Sequence, residues 1–93
     1  MALPLKPKQS GETEDFDVDF SKYLPEDDTI TTVELSLDIT GELELHQYQN
    51  QSPIIKVWTR GGVNTTTYKV TVKVGTAQGR VKEQEFRVRI KDS

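Results

Sequence analysis

The stretch that decides the fold is Tyr68-Lys-Val-Thr-Val-Lys-Val74, followed after Gly75-Thr-Ala-Gln-Gly79 by Phe86-Arg-Val-Arg-Ile90. In both runs apolar side chains alternate with charged or hydroxyl side chains. One face of each strand therefore points into a core and the other into water. Two such runs around a glycine-bounded break predict an antiparallel hairpin. The hairpin indicates an all-β domain in which each sheet has a dry face and a wet face.

The rest of the chain adds four strand patterns, at residues 15–20, 29–40, 43–46 and 54–59. Residues 47–53 are rich in Gln and Asn and are interpreted as a loop. The total is six strands, or seven, separated by turn signals, which is the pattern of a β-sandwich. Segments longer than ten residues lack a 3.6-residue period, so we expect almost no helix.

The alternation of apolar side chains changes phase within the last strand. Val81 has an odd number whereas Phe86, Val88 and Ile90 have even numbers, so a regular strand would place Val81 on the opposite face. If Val81 is buried with them, one extra residue must form a β-bulge between Lys82 and Glu85. The alternative is that Val81 lies beyond the core, near the turn.

Length and composition set the domain organisation. The 93 residues fit one domain, which we divide into an N-terminal arm, residues 1–13, and a sandwich, residues 14–93. The arm is expected to be flexible, either as a disordered terminus or as a segment that lies along a neighbouring subunit. Cysteine is absent, which suits a reducing cytosol. Apolar runs fall short of the ~20 residues of a membrane helix, so no membrane partner is expected.

Charge is distributed unevenly along the chain. Residues 1–46 hold twelve acids and three lysines, whereas residues 47–93 hold three acids and nine bases. One interpretation is that acidic and basic strands lie side by side and pair their charges. The other is that opposite poles guide contact between copies, giving a homo-oligomer, or contact with a partner.

Candidate chemistry is sparse. The one histidine, His46, borders the predicted loop and is expected to be solvated. The carboxylates of the 15–19 segment and of Glu26, Asp27 and Asp28 are either a calcium site or a charged face that discourages aggregation. Carboxylates at alternate positions of a strand lie ~7 Å apart, too far for one ion without loop ligands, so the charged face is the preferred interpretation. We therefore expect no catalytic residues, no cofactor and no metal.

A basic outer face is expected on the last hairpin. It lacks the interleaved aromatic side chains of a nucleic-acid site, so no nucleic-acid partner is expected. Pairing with the acidic half of the chain, or with a protein, is the preferred interpretation. Its members are Lys69, Thr71, Lys73, Arg87, Arg89 and Lys91.

Two aromatic residues have structural interpretations. Trp58 is either a core side chain or an interface residue. Tyr68, at the start of the penultimate strand, has the position of a tyrosine corner, in which the hydroxyl bonds back to the backbone.

Several short motifs then occur in a recognisable order. They are Phe16-Asp-Val-Asp-Phe20-Ser21, Asp28-Thr29-Ile30, Val57-Trp58-Thr59-Arg60-Gly61-Gly62, Tyr68-Lys-Val-Thr-Val-Lys-Val74, Gly79-Arg80 and Arg87-Val-Arg-Ile90. In this order they resemble small structural proteins of tailed phages, described as fibre-to-tail adaptors or minor virion proteins. The resemblance covers about residues 15–91.

The resemblance implies an immunoglobulin-like antiparallel β-sandwich that acts without catalysis in a virion, after assembly in the host cytoplasm. Its implied partners are other phage structural proteins, at the tail, the head–tail connection or the fibre attachment. The expected interface residues are Tyr23, Leu24, Trp58 and Arg60, together with the arm. The alternative function is a bacterial immunoglobulin-like adhesion or carbohydrate-binding module.

Overall fold

The computed structural model describes residues 5–38 and 42–92, and these confirm an all-β fold. Within them lie seven strands and a 3₁₀ turn at Ser21–Tyr23, and no helix has the length and hydrophobicity of a membrane span. The strands are β1 (Leu5–Lys8), β2 (Thr13–Asp19), β3 (Ile30–Leu37), β4 (Leu43–Gln51), β5 (Ile54–Gly61), β6 (Thr67–Thr76) and β7 (Val81–Ile90).

The strands form two sheets. The larger sheet has the order β1-β7-β6-β3 and the smaller has the order β2-β5-β4. The β1–β7 pair is parallel, and the other pairs are antiparallel. Strands 3, 6 and 7 in one sheet and strands 2, 4 and 5 in the other reproduce the immunoglobulin partition. The predicted sandwich is therefore confirmed, with seven strands.

The core lies between the sheets. The predicted stripes of β6 and β7 are buried, and the opposite sheet contributes Phe16 and Val18 of β2 with Phe20 directly after it. The rings of Phe16 and Phe86 lie 5.6 Å apart between centroids and join the two layers. Phe20 is fully buried, so the end of β2 is anchored by apolar burial.

The predicted bulge in β7 is wrong. The β6–β7 ladder runs without a register shift from Thr67 opposite Arg89 to Gly75 opposite Val81. Val81 is 62% exposed, which confirms the alternative that it lies beyond the core near the turn. The phase change therefore marks the end of the core and does not require an extra residue.

β4 is longer than predicted. The expected loop, residues 47–53, is strand as far as Gln51, and a register shift at His46 separates the two parts of the ladder. Side chains from His46 to Gln51 are exposed, as expected for the solvated His46. Backbone pairing with β5 forms this strand, so the side chains need not alternate.

β3 follows the predicted segment 29–40 in part. It runs from Ile30 to Leu37, and residues 39 and 40 of the prediction lie outside the described residues. β3 is at a sheet edge, so Val33, Leu35 and Leu37 are only half-buried while they pack against the core.

Part of the predicted arm belongs to the larger sheet. β1 pairs with β7 in register from Leu5 opposite Arg87 to Lys8 opposite Ile90. The Ser10 amide and hydroxyl donate to the Asp92 carboxylate at 2.7–2.9 Å. The sequence pattern did not indicate this strand, because four residues that include a proline show no readable alternation. The flexibility of the arm in solution stays a prediction.

Candidate protein-docking surface

Trp58 lies on the outside of the smaller sheet. Along the central strand β5, Ile55, Val57 and Thr59 are buried, so the residues between them point outward. Trp58 is half-buried and lies outside the hydrophobic core. We name this surface the tryptophan face. It comprises Ile54, Lys56, Trp58 and Arg60 of β5 with their cross-strand neighbours Asp15 and Asp17 on β2 and Gln47 and Gln49 on β4.

Charged side chains surround Trp58. The Lys56 ammonium lies 5.8 Å from the centroid of the Trp58 ring, within range of a cation–π contact. The same Nζ atom lies 3.3 Å from Asp15 Oδ2 and 3.7 Å from Asp17 Oδ1. These pairs fulfil the expectation that acidic and basic strands lie side by side. They are exposed, so each stabilises the fold by at most about 1 kcal/mol and its charges can re-pair with a partner.

Arg60 makes the best-aligned ion pair of the tryptophan face. Its Nε and Nη2 donate to the two carboxylate oxygens of Glu44 at 2.6 and 3.2 Å. The Arg60 hydrogen bond lowers the pKa of Glu44, and the carboxylate raises the pKa of Arg60. The guanidinium is therefore held by two hydrogen bonds, two residues after Trp58 on the same face of β5.

Tyr23 and Leu24 lie at another part of the molecule. Tyr23 is half exposed and its ring packs edge-on against Phe20. Leu24 packs against the core and lines an open cavity of about 320 Å³ with Pro25 and Pro53. Because Pro53 precedes Ile54, this cavity is about 13 Å along β5 from Trp58. The predicted interface residues thus fall into two separate groups.

A second feature, which we name the glycine corner, closes one end of the sandwich around Lys8, Gly61, Gly62 and Tyr68. Gly61 and Gly62 have φ values of +79° and +106°. The Val63 amide donates to Tyr68 Oη at 3.1 Å, so the predicted tyrosine corner is confirmed. The buried Lys8 ammonium donates to Gly61 O at 2.7 Å, and burial lowers the pKa of Lys8.

Asp28 joins two motifs that are far apart in sequence. Its buried Oδ1 accepts the amides of Thr29 and Gln78 at 3.0 and 3.1 Å, and Oδ2 accepts Arg80 Nη1 at 2.9 Å. Burial acts to raise the pKa of Asp28, but the hydrogen bond from the Thr76 side chain, together with those from Arg80, Gln78 and Thr29, outweighs it and the pKa is lowered. The carboxylate is thus occupied by the protein itself. Across residues 5–38 and 42–92, no three His, Cys, Asp or Glu side chains could together hold a metal ion.

The predicted basic outer face is more mixed than expected. Lys73 lies opposite Glu83 in the β6–β7 ladder, and Lys69 Nζ lies 3.7 Å from Glu85. Even so, the strands of the larger sheet carry seven bases and three acids, and those of the smaller sheet carry five acids and two bases. The two layers therefore have opposite charge, although their local ion pairs are largely made within each layer.

Sequence reasoning missed the Asp28–Arg80 pair and the open edge of β4. Both depend on residues brought together by the fold, and neither has a local signal.

In comparison with known protein families, the model of the podophage GP4 fiber-tail adaptor protein gp77 matches residues 8–89. No curated protein matches the chain. Because the match spans both sheets and the motifs that meet at the glycine corner and at Asp28, the chain belongs to the podophage GP4 fiber-tail adaptor gp77 family.

Proposed function

We propose that this protein is a non-enzymatic component of a phage virion, assembled in the host cytoplasm, that joins tail and fibre proteins by direct docking. Its family is one of structural adaptors. The single observation that supports a specific docking surface is the position of Trp58. The chain's one tryptophan lies outside the core, on the face of the smaller sheet.

The tryptophan face has the composition of an interface centre. Tryptophan, tyrosine and arginine dominate the residues whose truncation costs most in protein complexes. Here the Lys56 ammonium lies within cation–π range of the Trp58 ring, and Glu44 forms an ion pair with Arg60. A partner that covers the ring gains apolar burial without ordering a flexible side chain. The surrounding carboxylates and cations select the partner's orientation and charge.

The cavity beside Tyr23 and Leu24 offers a second contact. Its 320 Å³ opening is large enough for an apolar side chain of a partner, and Leu24, Pro25 and Pro53 supply apolar walls. An adaptor must hold two proteins at once. We assign the tryptophan face to one of them and this cavity to the other.

The test measures binding of purified tail and fibre proteins from the same phage to the wild-type protein and to Trp58→Ala. We expect the variant to lose about 30-fold in affinity for one partner, the equivalent of about 2 kcal/mol for an interface centre. Val81→Ala, an exposed apolar residue at the distant hairpin end, is the matched control. Its affinity should equal that of the wild type.

Other outcomes would count against the proposal. Unchanged affinity of Trp58→Ala for both partners would remove the tryptophan face from docking. Binding to oligosaccharides with no binding to tail or fibre proteins would support the adhesion or carbohydrate-binding alternative, since an exposed tryptophan also stacks on sugars.

A further inference from the structure

The four edges of the two described sheets differ in how they are protected. An edge strand presents unpaired backbone groups that can template another strand, and proteins block such edges with charge, proline or short length. β1 has four residues and contains Pro7 between Lys6 and Lys8. β2 has four acids among its seven residues. β3 has Glu34 at its middle and a register shift near its start. These three edges carry protection.

β4 differs from the others over its second half. After the shift at His46, the segment Gln47-Tyr-Gln-Asn-Gln51 contains no charge, no proline and no glycine. Each of its residues is exposed. One side of its backbone pairs with β5 from Trp58 to Ile54, and the other side is the edge of the sheet. The Asn50 side chain points toward the larger sheet and donates to Ile30 O at 2.8 Å, so it is the backbone edge that is open. This segment is an open ladder of five residues.

We infer that the β4 edge pairs with the β4 edge of a second copy of this chain. An antiparallel pair with its two-fold axis at Gln49 sets Gln47 opposite Gln51 and Tyr48 opposite Asn50. The contact is self-complementary, as a two-fold interface requires. Like charges are not brought together, whereas the same pairing of β2 would place carboxylates against carboxylates. Facing amide side chains add hydrogen bonds of the kind found in glutamine ladders.

The arrangement has a consequence for docking, which rests on the proposed function. A two-fold axis perpendicular to the sheet merges two three-stranded sheets into one of six strands. Both tryptophan faces then lie on the same side of the merged sheet, with Gln49 between them. One dimer can bind two sites on a partner that is present in several copies. Once the first site is bound, binding of the second site is intramolecular.

The test measures the oligomeric state of the wild-type chain and of Gln49→Lys by size-exclusion chromatography with light scattering over a concentration series. The substitution places two ammonium groups opposite each other at the axis. We expect the wild type to form dimers and the variant to need about fivefold more protein or more for the same dimer fraction. Gln9→Lys adds the same charge at an exposed site near β1 and should behave as the wild type.

Hydrogen exchange of the wild-type chain provides a readout that does not depend on a variant. Amides between Gln47 and Gln51 that point away from β5 should exchange more slowly as protein concentration rises. A wild type that stays monomeric, equal dimerisation of Gln49→Lys, or exchange in β4 that does not change with concentration would each overturn the inference. Trp58→Ala should dimerise normally, so failure of dimerisation and failure of partner docking are observed separately.

Discussion

The glycine corner and the tryptophan face lie next to each other along the same strand but have opposite physical character. At the glycine corner the buried Lys8 ammonium and the Tyr68 hydroxyl both find partners within the chain. Tyr68 Oη accepts the Val63 amide, and Lys8 Nζ donates to Gly61 O. Three residues before Gly61, at Trp58, a large apolar side chain is left half-buried on the surface. Motif residues that close the fold thus lie close in sequence to a motif residue whose side chain lies outside the core.

The difference shows how to divide the motifs by role. Gly61, Gly62, Tyr68 and the Asp28–Arg80 pair have complete structural explanations in backbone conformation and hydrogen bonding. Trp58 has none in the core. Stability measurements should therefore separate the two groups, and the following substitutions test that separation in decreasing order of effect.

Gly62→Ala should have the largest effect on stability. A β-carbon at Gly62 would lie 2.6 Å from Ile90 Cγ1, and its φ of +106° is strained for any other residue. We expect the free energy of unfolding to fall by about 2–4 kcal/mol in denaturant titrations. Gly11→Ala is the control, because a β-carbon there meets nothing within 4 Å. Equal stability of the two variants would show that the glycine corner is not closed as described.

Asp28→Asn should have the next largest effect, and it should depend on pH. An asparagine Oδ1 keeps the amides of Thr29 and Gln78, but its NH₂ group faces Arg80. Since the folded state lowers the pKa of Asp28 below its ordinary value of 3.8, the carboxylate adds stability above that value and loses it as pH falls through the lowered pKa. The wild-type advantage should therefore be full at pH 7 and should shrink during acid unfolding.

The control for this prediction is Asp27→Asn, which removes the same charge from an exposed neighbour. Thermal unfolding monitored by circular dichroism from neutral to acidic pH compares the three proteins. If the stabilities of the wild type and Asp28→Asn differ by the same amount at every pH, the expected link between stability and ionisation of Asp28 is contradicted.

Trp58→Ala should have the smallest effect on stability, although we expect it to have the largest effect on partner binding. The side chain contacts Lys56 at the surface, so its loss should cost less than about 1 kcal/mol. Ile55→Ala, on the buried side of the same strand, should cost about 2–5 kcal/mol. If Trp58→Ala lowers the free energy of unfolding as much as Ile55→Ala does, Trp58 acts as a core residue and the contrast with the glycine corner is wrong.

The sequence allowed the fold class to be predicted where side chains report the two faces of a strand. The alternation around Val72 and Val88 predicted the central hairpin correctly, because those strands have one dry face and one wet face. β1 and the second half of β4 were missed. Their backbones pair with β7 and β5, but this part of β4 is exposed and the one buried side chain of β1 is the charged Lys8, so hydrophobic period carries no information about them.

The candidate site could be predicted only in part for a related reason. Ile54, Ile55, Val57 and Trp58 place apolar groups on both faces of β5, so the sequence could not say which face is outside. The pairing of β5 with β2 and β4 decides this and directs Trp58 outward. The Asp28–Arg80 contact spans 52 residues and has no local signal. Tyr68 was predictable because a tyrosine corner depends on position within a strand.

The parallel pairing of β1 with β7 has a mechanical meaning for a member of a fibre–tail adaptor family. Leu5 pairs with Arg87 and Lys8 with Ile90, so the start of β1 and the end of β7 lie at opposite ends of the pair. Tension applied between these two ends pulls the strands past each other in shear. The evenly spaced bonds of a parallel ladder then share the load and must fail together, whereas a hairpin pulled at its open end unzips one bond at a time.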